Sequence, residues 1–337
     1  MKEIAVTDIE GIRIGHAEDM DALTGCTVLI AEEGVTAGVD VRGGAPGTRE
    51  TDLLDPVNFV QQIHAVILAG GSAFGLDAAT GVMQYLEEQN VGFDVGIMKI
   101  PIVCGAVLFD LGIGDHRVRP DREMGYQACL NAVNTGCAEG DVGAGAGASV
   151  GKILGVEQSM KSGLGTCCFQ AGVLKIGAVV AVNCLGDVIH PKTGTIMAGV
   201  LSKDRRTFLN TEKIMIEQFA GRNISFGGNT TIGMVVTNGK FTKSQAGKLA
   251  SMAHNGFART MRPSHTMLDG DTIFALTTGE VEADINVAGM LAARAVENAV
   301  LRAVLKAKSL GGLPCCSELG FLQKQIQEIE AAGDGII

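Results

Sequence analysis

Tryptophan is absent from this sequence, tyrosine occurs twice, and aromatic residues together make up only 4%. The apolar content of 46% is therefore carried by Ala, Val, Ile and Leu, and with 47 Gly it points to closely packed strands and turns rather than long helical bundles. Charged residues reach only 19%, which at this apolar content excludes a disordered chain. Clustered Lys and Arg are missing and the net charge is -10, so a surface that tracks phosphates, and with it a nucleic-acid partner, is excluded. No window approaches the ~18 uninterrupted apolar residues of a membrane span, and residues 1–8 contain no apolar stretch of a secretory signal. The nine cysteines form no Cys-x-x-Cys pair, which argues for thiols in a reducing cytoplasm rather than a disulfide framework or a zinc site. His16, His64, His116, His190, His254 and His265 are scattered without metal-ligand spacing, so neither a metal nor another cofactor is expected.

What is present is an alternation of short Val- and Ile-rich runs with Gly-rich turns and helical stretches. Buried strands are expected at Val66–Ala69, Leu174–Val182, Ile232–Val236 and Ile273–Leu276. Helical spacing runs over Ala73–Glu88, Ser244–Arg259 and Val287–Lys308, the last stopped by Gly311-Gly312, and a charged helix is expected over Glu318–Ala331. Sheets covered by helices, an α/β layered fold, follow from that mixture. Residues 202–229 differ, because Lys203, Asp204, Arg205, Arg206, Glu212, Lys213, Glu217 and Arg222 form a polar connection between two buried strands. An ordinary surface loop has the same composition.

Three motifs fail on inspection. Residues 143–152 (GAGAGASVGK) resemble a phosphate loop, yet Ala146 and Ile153 stand where that motif needs Gly and a hydroxyl. The dinucleotide spacing in the same segment lacks an acidic residue about 20 positions on. Ser72 in residues 70–75 (GGSAFG) lacks the second glycine of a nucleophile elbow, because Phe74 occupies that place, and reads as a helix N-cap.

One constellation remains. The polar connection ends at Asn229, and Thr230 and Thr231 open a buried strand. A hydroxyl at a strand start is held rigidly, and cleavage of the bond before it would place its own α-amine beside it as a base. An α-amine has a pKa of roughly 8 and accepts a proton far more readily near neutrality than a threonine hydroxyl does. Downstream, residues 263–272 (PSHTMLDGDT) carry Asp269 and Asp271 one residue apart, where an extended chain turns both toward one side. An Asp-Gly β-turn would use the same residues.

Taken in order along the chain, residues 40–56 (DVRGGAPGTRETDLLDP), 68–79 (LAGGSAFGLDAA), 109–111 (FDL), 143–152, 180–187 (VAVNCLGD) and 229–232 (NTTI) resemble the L-aminopeptidase/D-esterase and β-peptidyl aminopeptidase family, which includes nylon-oligomer hydrolases. The resemblance covers nearly the whole chain. It implies a single peptidase domain over residues 1–337, an αββα four-layer sandwich of the N-terminal-nucleophile type, autocleaved into 1–229 and 230–337. It implies Thr230 as nucleophile, Asp269 and Asp271 as its paired aspartates, Asn183 as oxyanion donor and Lys152 as a nearby cation. The threonine at this site is similar to the nylon-oligomer hydrolase branch. A small peptide or amide substrate and a homo-oligomer, a tetramer of cleaved pairs, are further implications. The loop from Gly43 and Gly44 to Arg49 is expected to form part of the pocket with Phe109. Cys104-Gly105 and Phe109 depart from the family pattern, which leaves the substrate open rather than the reaction. The alternatives are an acyltransferase of the ornithine acetyltransferase type and an uncleaved binding protein of the same fold.

Overall fold

An 18-residue strand, β3 (Thr24–Val41), joins two sheets in this computed structural model, which describes residues 1–219, 228–320 and 322–323. The other strands are β1 (Lys2–Ile4), β2 (Arg13–Asp19), β4 (Thr48–Arg49), β5 (Ile63–Ala69), β6 (Val103–Val107), β7 (Leu164–Ala171), β8 (Leu174–Ala181), β9 (Ile232–Gly239) and β10 (Thr272–Val281). Their order is β1-β7-β8-β9-β10-β3-β5-β6-β4, with β2 also on β3. Thr36–Val41 pair with β10, whereas Thr24–Ile30 pair with β2 and Cys26–Ile30 with β5. The register breaks between Ile30 and Val35, where Gly34 adopts φ +78°, and such an irregularity re-aims a strand.

Alternating burial shows how the two sheets stack. Along β9, Ile232, Met234 and Val236 join Val66 and Leu68 of β5 in a core between the sheets. Val235 belongs to another cluster, with Leu249 and Ala253 of α4 (Lys243–Thr260) and Ala292 and Val296 of α5 (Ile285–Lys306). The alternate residues of β5, Ala65, Ile67 and Ala69, pack with Val82 and Leu86 of α1 (Ala78–Glu88) and Ala128 of α2 (Arg122–Leu130). Period-two strands that bury both faces require a layer on each side. The result is the helix–sheet–sheet–helix sandwich that the resemblance implies. Small residues let the layers approach: a side chain at Gly38 of β3 would lie 2.1 Å from the backbone nitrogen of Gly247 in α4.

Only two neighbouring strand pairs in the main sheets run parallel among the described residues, β5–β6 and β9–β10, and helices α1 and α4 lie between them in sequence. Parallel strands begin at the same edge. The residues leading into β9 and β10, 229–231 and 269–271, are therefore brought side by side.

Several local expectations need correction. The helix after β5 begins as a 3-10 turn, Ser72–Asp77, with Gly71 rather than Ser72 at the cap, and Ser72 itself has φ +54°. Helix α5 ends at Lys306, before Gly311-Gly312, which form a later turn with positive φ. The 202–229 connection contains a helix, α3 (Thr211–Phe219), whose start is fixed by Thr211, with N–H and hydroxyl both donating to buried Asp187. The glycine-rich segment has its amides occupied: Gly143 N–H donates to Glu18 and Ala144 N–H to Thr27 Oγ1. The helix expected over Glu318–Ala331 lies mostly outside the described residues. All nine cysteines are free, and all but Cys137 are buried.

Candidate active site

The chain just before β9 continues the strand backwards. Asn229 bridges Asp269 in parallel register, Gly270 N–H donates to the Asn229 carbonyl at 3.0 Å, and Thr272 N–H to the Thr231 carbonyl at 3.2 Å. On the other side Thr230 N–H donates to the Asn183 carbonyl at 3.0 Å. Thr230 is thus held by backbone on both flanks and is almost fully buried. Its hydroxyl donates to the carbonyl oxygen of Asn229. Glycine at 270 is a matter of space, since a Cβ there would stand 2.6 Å from Thr230 Oγ1.

Lys152 and Asn183 support the same bond from below. Gly151, at φ +75° and backed against Gly199, turns the chain so that Lys152 enters the interior. Lys152 Nζ donates to the Asn183 carbonyl at 2.9 Å, to Asn183 Oδ1 at 2.7 Å and to the Gly228 carbonyl at 3.4 Å. The ammonium therefore touches the residue before Asn229 and the same Asn183 carbonyl that holds Thr230 N–H. Burial pushes its pKa down to about 8, against the pull of nearby acidic groups, Asp269 and Asp110 among them. Asn183 Oδ1 also accepts from Ser149 N–H, while its amide nitrogen donates to the Phe109 carbonyl at 2.8 Å. The Gly270 amide donates to the Asn229 carbonyl beside the Thr230 hydroxyl, whereas the Asn183 amide nitrogen donates to Phe109.

Both aspartates are buried, and they face different partners. Asp269 Oδ2 accepts from Thr266 N–H at 2.9 Å and from the Thr266 hydroxyl at 2.5 Å, and its Oδ1 has a long contact of 3.5 Å from Leu185 N–H. Burial first, and Asp271 second, raise its pKa above the ordinary carboxylate value. Asp271 Oδ1 accepts from Thr231 N–H at 2.9 Å, next door to Thr230, and its Oδ2 accepts from His265. Neither carboxylate has a hydrogen bond to Thr230 among the described residues.

A cavity of about 180 Å³ opens onto Thr230, lined by Ala45, Pro46, Ser72, Val107, Phe109 and Leu268 among others, with no ionisable side chain in its wall among the described residues. Phe109 covers Gly228 so closely that a Cβ at that glycine would lie 2.3 Å from the ring. Gly43 and Gly44 lie behind the site instead of lining it. Their segment braces the aspartate loop, with Arg42 N–H and Gly43 N–H on the Asp271 carbonyl, Gly44 N–H on that of Thr266 and Ala45 N–H on that of Asp269. Arg49 points elsewhere, its guanidinium on Met83 Sδ at 2.9 Å. Two contributors had no signal in the sequence. The Gly270 amide is backbone, and His265 meets Asp271 through a turn that spacing does not announce.

Comparison with known proteins shows the family of the chain and a likeness of fold. The profile of Peptidase family S58 matches residues 5–314. An uncharacterized aminopeptidase of Mycobacterium leprae is 42% identical over 343 residues, covering 92% of each chain. A 6-aminohexanoate-oligomer endohydrolase of Agromyces sp. is 33% identical over 285 residues, 83% of this chain and 77% of that one. Among solved structures, an L-aminopeptidase D-Ala-esterase/amidase from Ochrobactrum anthropi, described as a variant of the Ntn hydrolase fold, superimposes with a TM-score of 0.71. It covers 96% of this chain and 94% of its own at 17% identity, a likeness of fold. The chain belongs to peptidase family S58 and is a hydrolase of amide bonds.

Proposed function

We propose that the chain cuts itself between Asn229 and Thr230 and then hydrolyses amide substrates through an acyl-enzyme on Thr230. The observation that carries this reading is the Thr230 hydroxyl lying on the Asn229 carbonyl while Gly270 N–H polarises the same oxygen. In the first step Thr230 Oγ attacks the Asn229 carbonyl carbon, the C–N bond breaks, and the acyl group moves from nitrogen to oxygen. Water then opens the ester, leaving a carboxylate on Asn229 and a free amine and hydroxyl on Thr230. Negative charge developing on the carbonyl oxygen is met by the Gly270 amide, with the Lys152 ammonium held close by through the Asn183 and Gly228 carbonyls.

The new α-amine keeps the Asn183 carbonyl as its partner and serves as base for the same hydroxyl. Thr230 Oγ would then attack a substrate amide carbonyl, the C–N bond would break with the hydroxyl proton passing through the α-amine to the leaving amine, and water would clear the acyl group from Oγ. The cavity fits a small acyl portion without charge of its own near the reacting carbonyl. The class to test is 6-aminohexanoate oligomers, named in one relative, beside peptides with a free amino terminus, since another relative is named an aminopeptidase. A tetramer of cleaved pairs, in the cytoplasm where nine free thiols stay reduced, completes the reading. The test is trapping: a slow substrate amide should leave its acyl mass on the peptide that begins at Thr230. Label on any other residue, or turnover without label, would contradict the nucleophile.

A further inference from the structure

Asp271 is held by three hydrogen bonds, and two of them come from a single residue. His265 gives its backbone N–H to Asp271 Oδ2 at 3.0 Å and sets its ring Nδ1 2.9 Å from the same oxygen. It does so from φ +58°, a left-handed conformation uncommon outside glycine, in which Asn, Asp and His are enriched. That turn is what lets amide and ring converge on one atom. The rest of the ring makes no polar contact. His254 lies edge-on with ring centres 4.8 Å apart and Phe257 at 6.3 Å, and His265 Nε2 is buried with no hydrogen-bond partner among the described residues. His254 in turn gives Nε2–H to the Asp40 carbonyl at 2.9 Å. Burial lowers its pKa to about 4, so it stays neutral and places no charge against His265. The charged groups beyond it, Asp40 and Arg42, pair with each other at 3.1 Å.

The ring of His265 is thus oriented by one polar partner, a carboxylate that itself holds Thr231 N–H, the residue after the proposed nucleophile. We infer that His265 is a positioning residue that keeps Asp271 as the ionised member of the acid pair and leaves the shared proton on Asp269. The inference rests on the reading that the pair serves Thr230. Two buried carboxylates one residue apart do not both ionise freely, and hydrogen bonds to the charged form decide which one does. Asp271 has three such bonds on two oxygens, two from backbone N–H groups that can only donate and one from the His265 ring, whose Nδ1 donates when it carries the proton. Asp269 relies on one amide, a long contact, and a hydroxyl that is equally able to accept a proton from it. A neutral Asp269 keeps a second negative charge away from the Asn229 carbonyl, where the oxyanion forms. An ionised Asp271 keeps residues 229–231 in register beside 269–271.

The experiment compares self-cleavage rates across the acid and neutral range for the wild-type chain, His265→Leu and His265→Asn, with Thr230→Ala as the uncut reference. Asparagine tolerates positive φ and carries an amide N–H near the place of Nδ1, so it preserves the donor that leucine removes. His265→Leu should cut about tenfold more slowly, the usual scale for a lost hydrogen bond to a charged group, and its acid limb should move to higher pH, with His265→Asn restoring both. Equal losses in the two variants with an unmoved limb, or a leucine variant as fast as wild type, would overturn the role. A second readout does not depend on cleavage or on the leucine variant folding. In the Thr230→Ala chain at neutral pH, infrared difference spectra should show buried protonated-carboxyl intensity lost on Asp269→Asn and ionised-carboxylate intensity lost on Asp271→Asn. The reverse pattern would overturn the assignment. A wild-type chain that stays uncut while the spectra behave as expected would instead count against Thr230 as nucleophile.

Discussion

Gly270 gives its backbone N–H to the carbonyl oxygen of Asn229 at 3.0 Å, and the missing side chain of the same glycine leaves room for the Thr230 hydroxyl. Both facts follow from the parallel pairing of β9 with β10, which lays residues 269–271 alongside 229–231. The Asp-Gly-Asp sequence therefore acts as a strand edge as well as a pair of carboxylates. Its backbone addresses the Asn229 carbonyl proposed as the cleavage point, and its side chains point to the loops that hold it.

Gly270→Ala tests that edge. The new methyl would meet Thr230 Oγ1 at 2.6 Å and the Ala45 carbonyl at 2.7 Å, so the hydroxyl must move. Self-cleavage should slow by about 10²-fold, the loss expected of a misplacement near 1 Å, while the protein still folds. A time course of chain cleavage beside a thermal melt checks both.

Lys152 should set an alkaline limit on self-cleavage. Its pKa is about 8, lowered by burial, so the ammonium is lost as pH rises through that value. The rate of the first cut should fall above about pH 8 and this dependence should disappear, at a lower rate throughout, in Lys152→Met. The sign for stability is opposite. The unfolded chain holds this proton up to its ordinary value of 10.5, so between the two values stability rises with pH. Melting temperatures of Thr230→Ala with and without Lys152→Met, taken across that range, measure it.

The fold was legible in the sequence to the extent that burial leaves a pattern. β5, β8, β9 and β10 are runs of Val, Ile, Ala and Leu, and α4 and α5 carry strong helical spacing, so their positions came from composition alone. Thr230, Asp269, Asp271, Asn183 and Lys152 are gathered into one place, but their gathering depends on pairings between distant segments that no local pattern states. Asn183 offers the clearest difference. As a residue type it suits an oxyanion donor, yet here its amide nitrogen is engaged by the Phe109 carbonyl and its oxygen by Lys152 and Ser149. The glycines of residues 43–44 invited a pocket reading because glycine permits close approach. The close approach they provide is to the back of the aspartate loop, where a Cβ on Gly43 would lie 2.2 Å from the Asp269 carbonyl.

Asp269 and Asp271 should respond differently to the same substitution. Asp269→Asn replaces a carboxyl whose pKa is raised by burial and by Asp271. A raised carboxyl favours the folded state while protonated, and its contribution falls as pH climbs from 3.8 through the folded value. Asp269→Asn should therefore flatten the fall in melting temperature across that window and keep cleavage within about tenfold, since an amide resembles the neutral acid. Asp271→Asn breaks the acceptor of three N–H groups and should cost about 10²-fold or more in cleavage, with a lower melting temperature. Melting curves across pH and cleavage rates for both variants make the comparison.

The most direct measurement is the intact mass of freshly purified protein beside Thr230→Ala. With Thr230 as the nucleophile, the wild type gives two chains, one ending at Asn229 and one beginning at Thr230, and the variant gives a single chain. A wild-type chain that remains whole after prolonged incubation, or a Thr230→Ala chain cut at the same bond, would contradict self-processing by this residue.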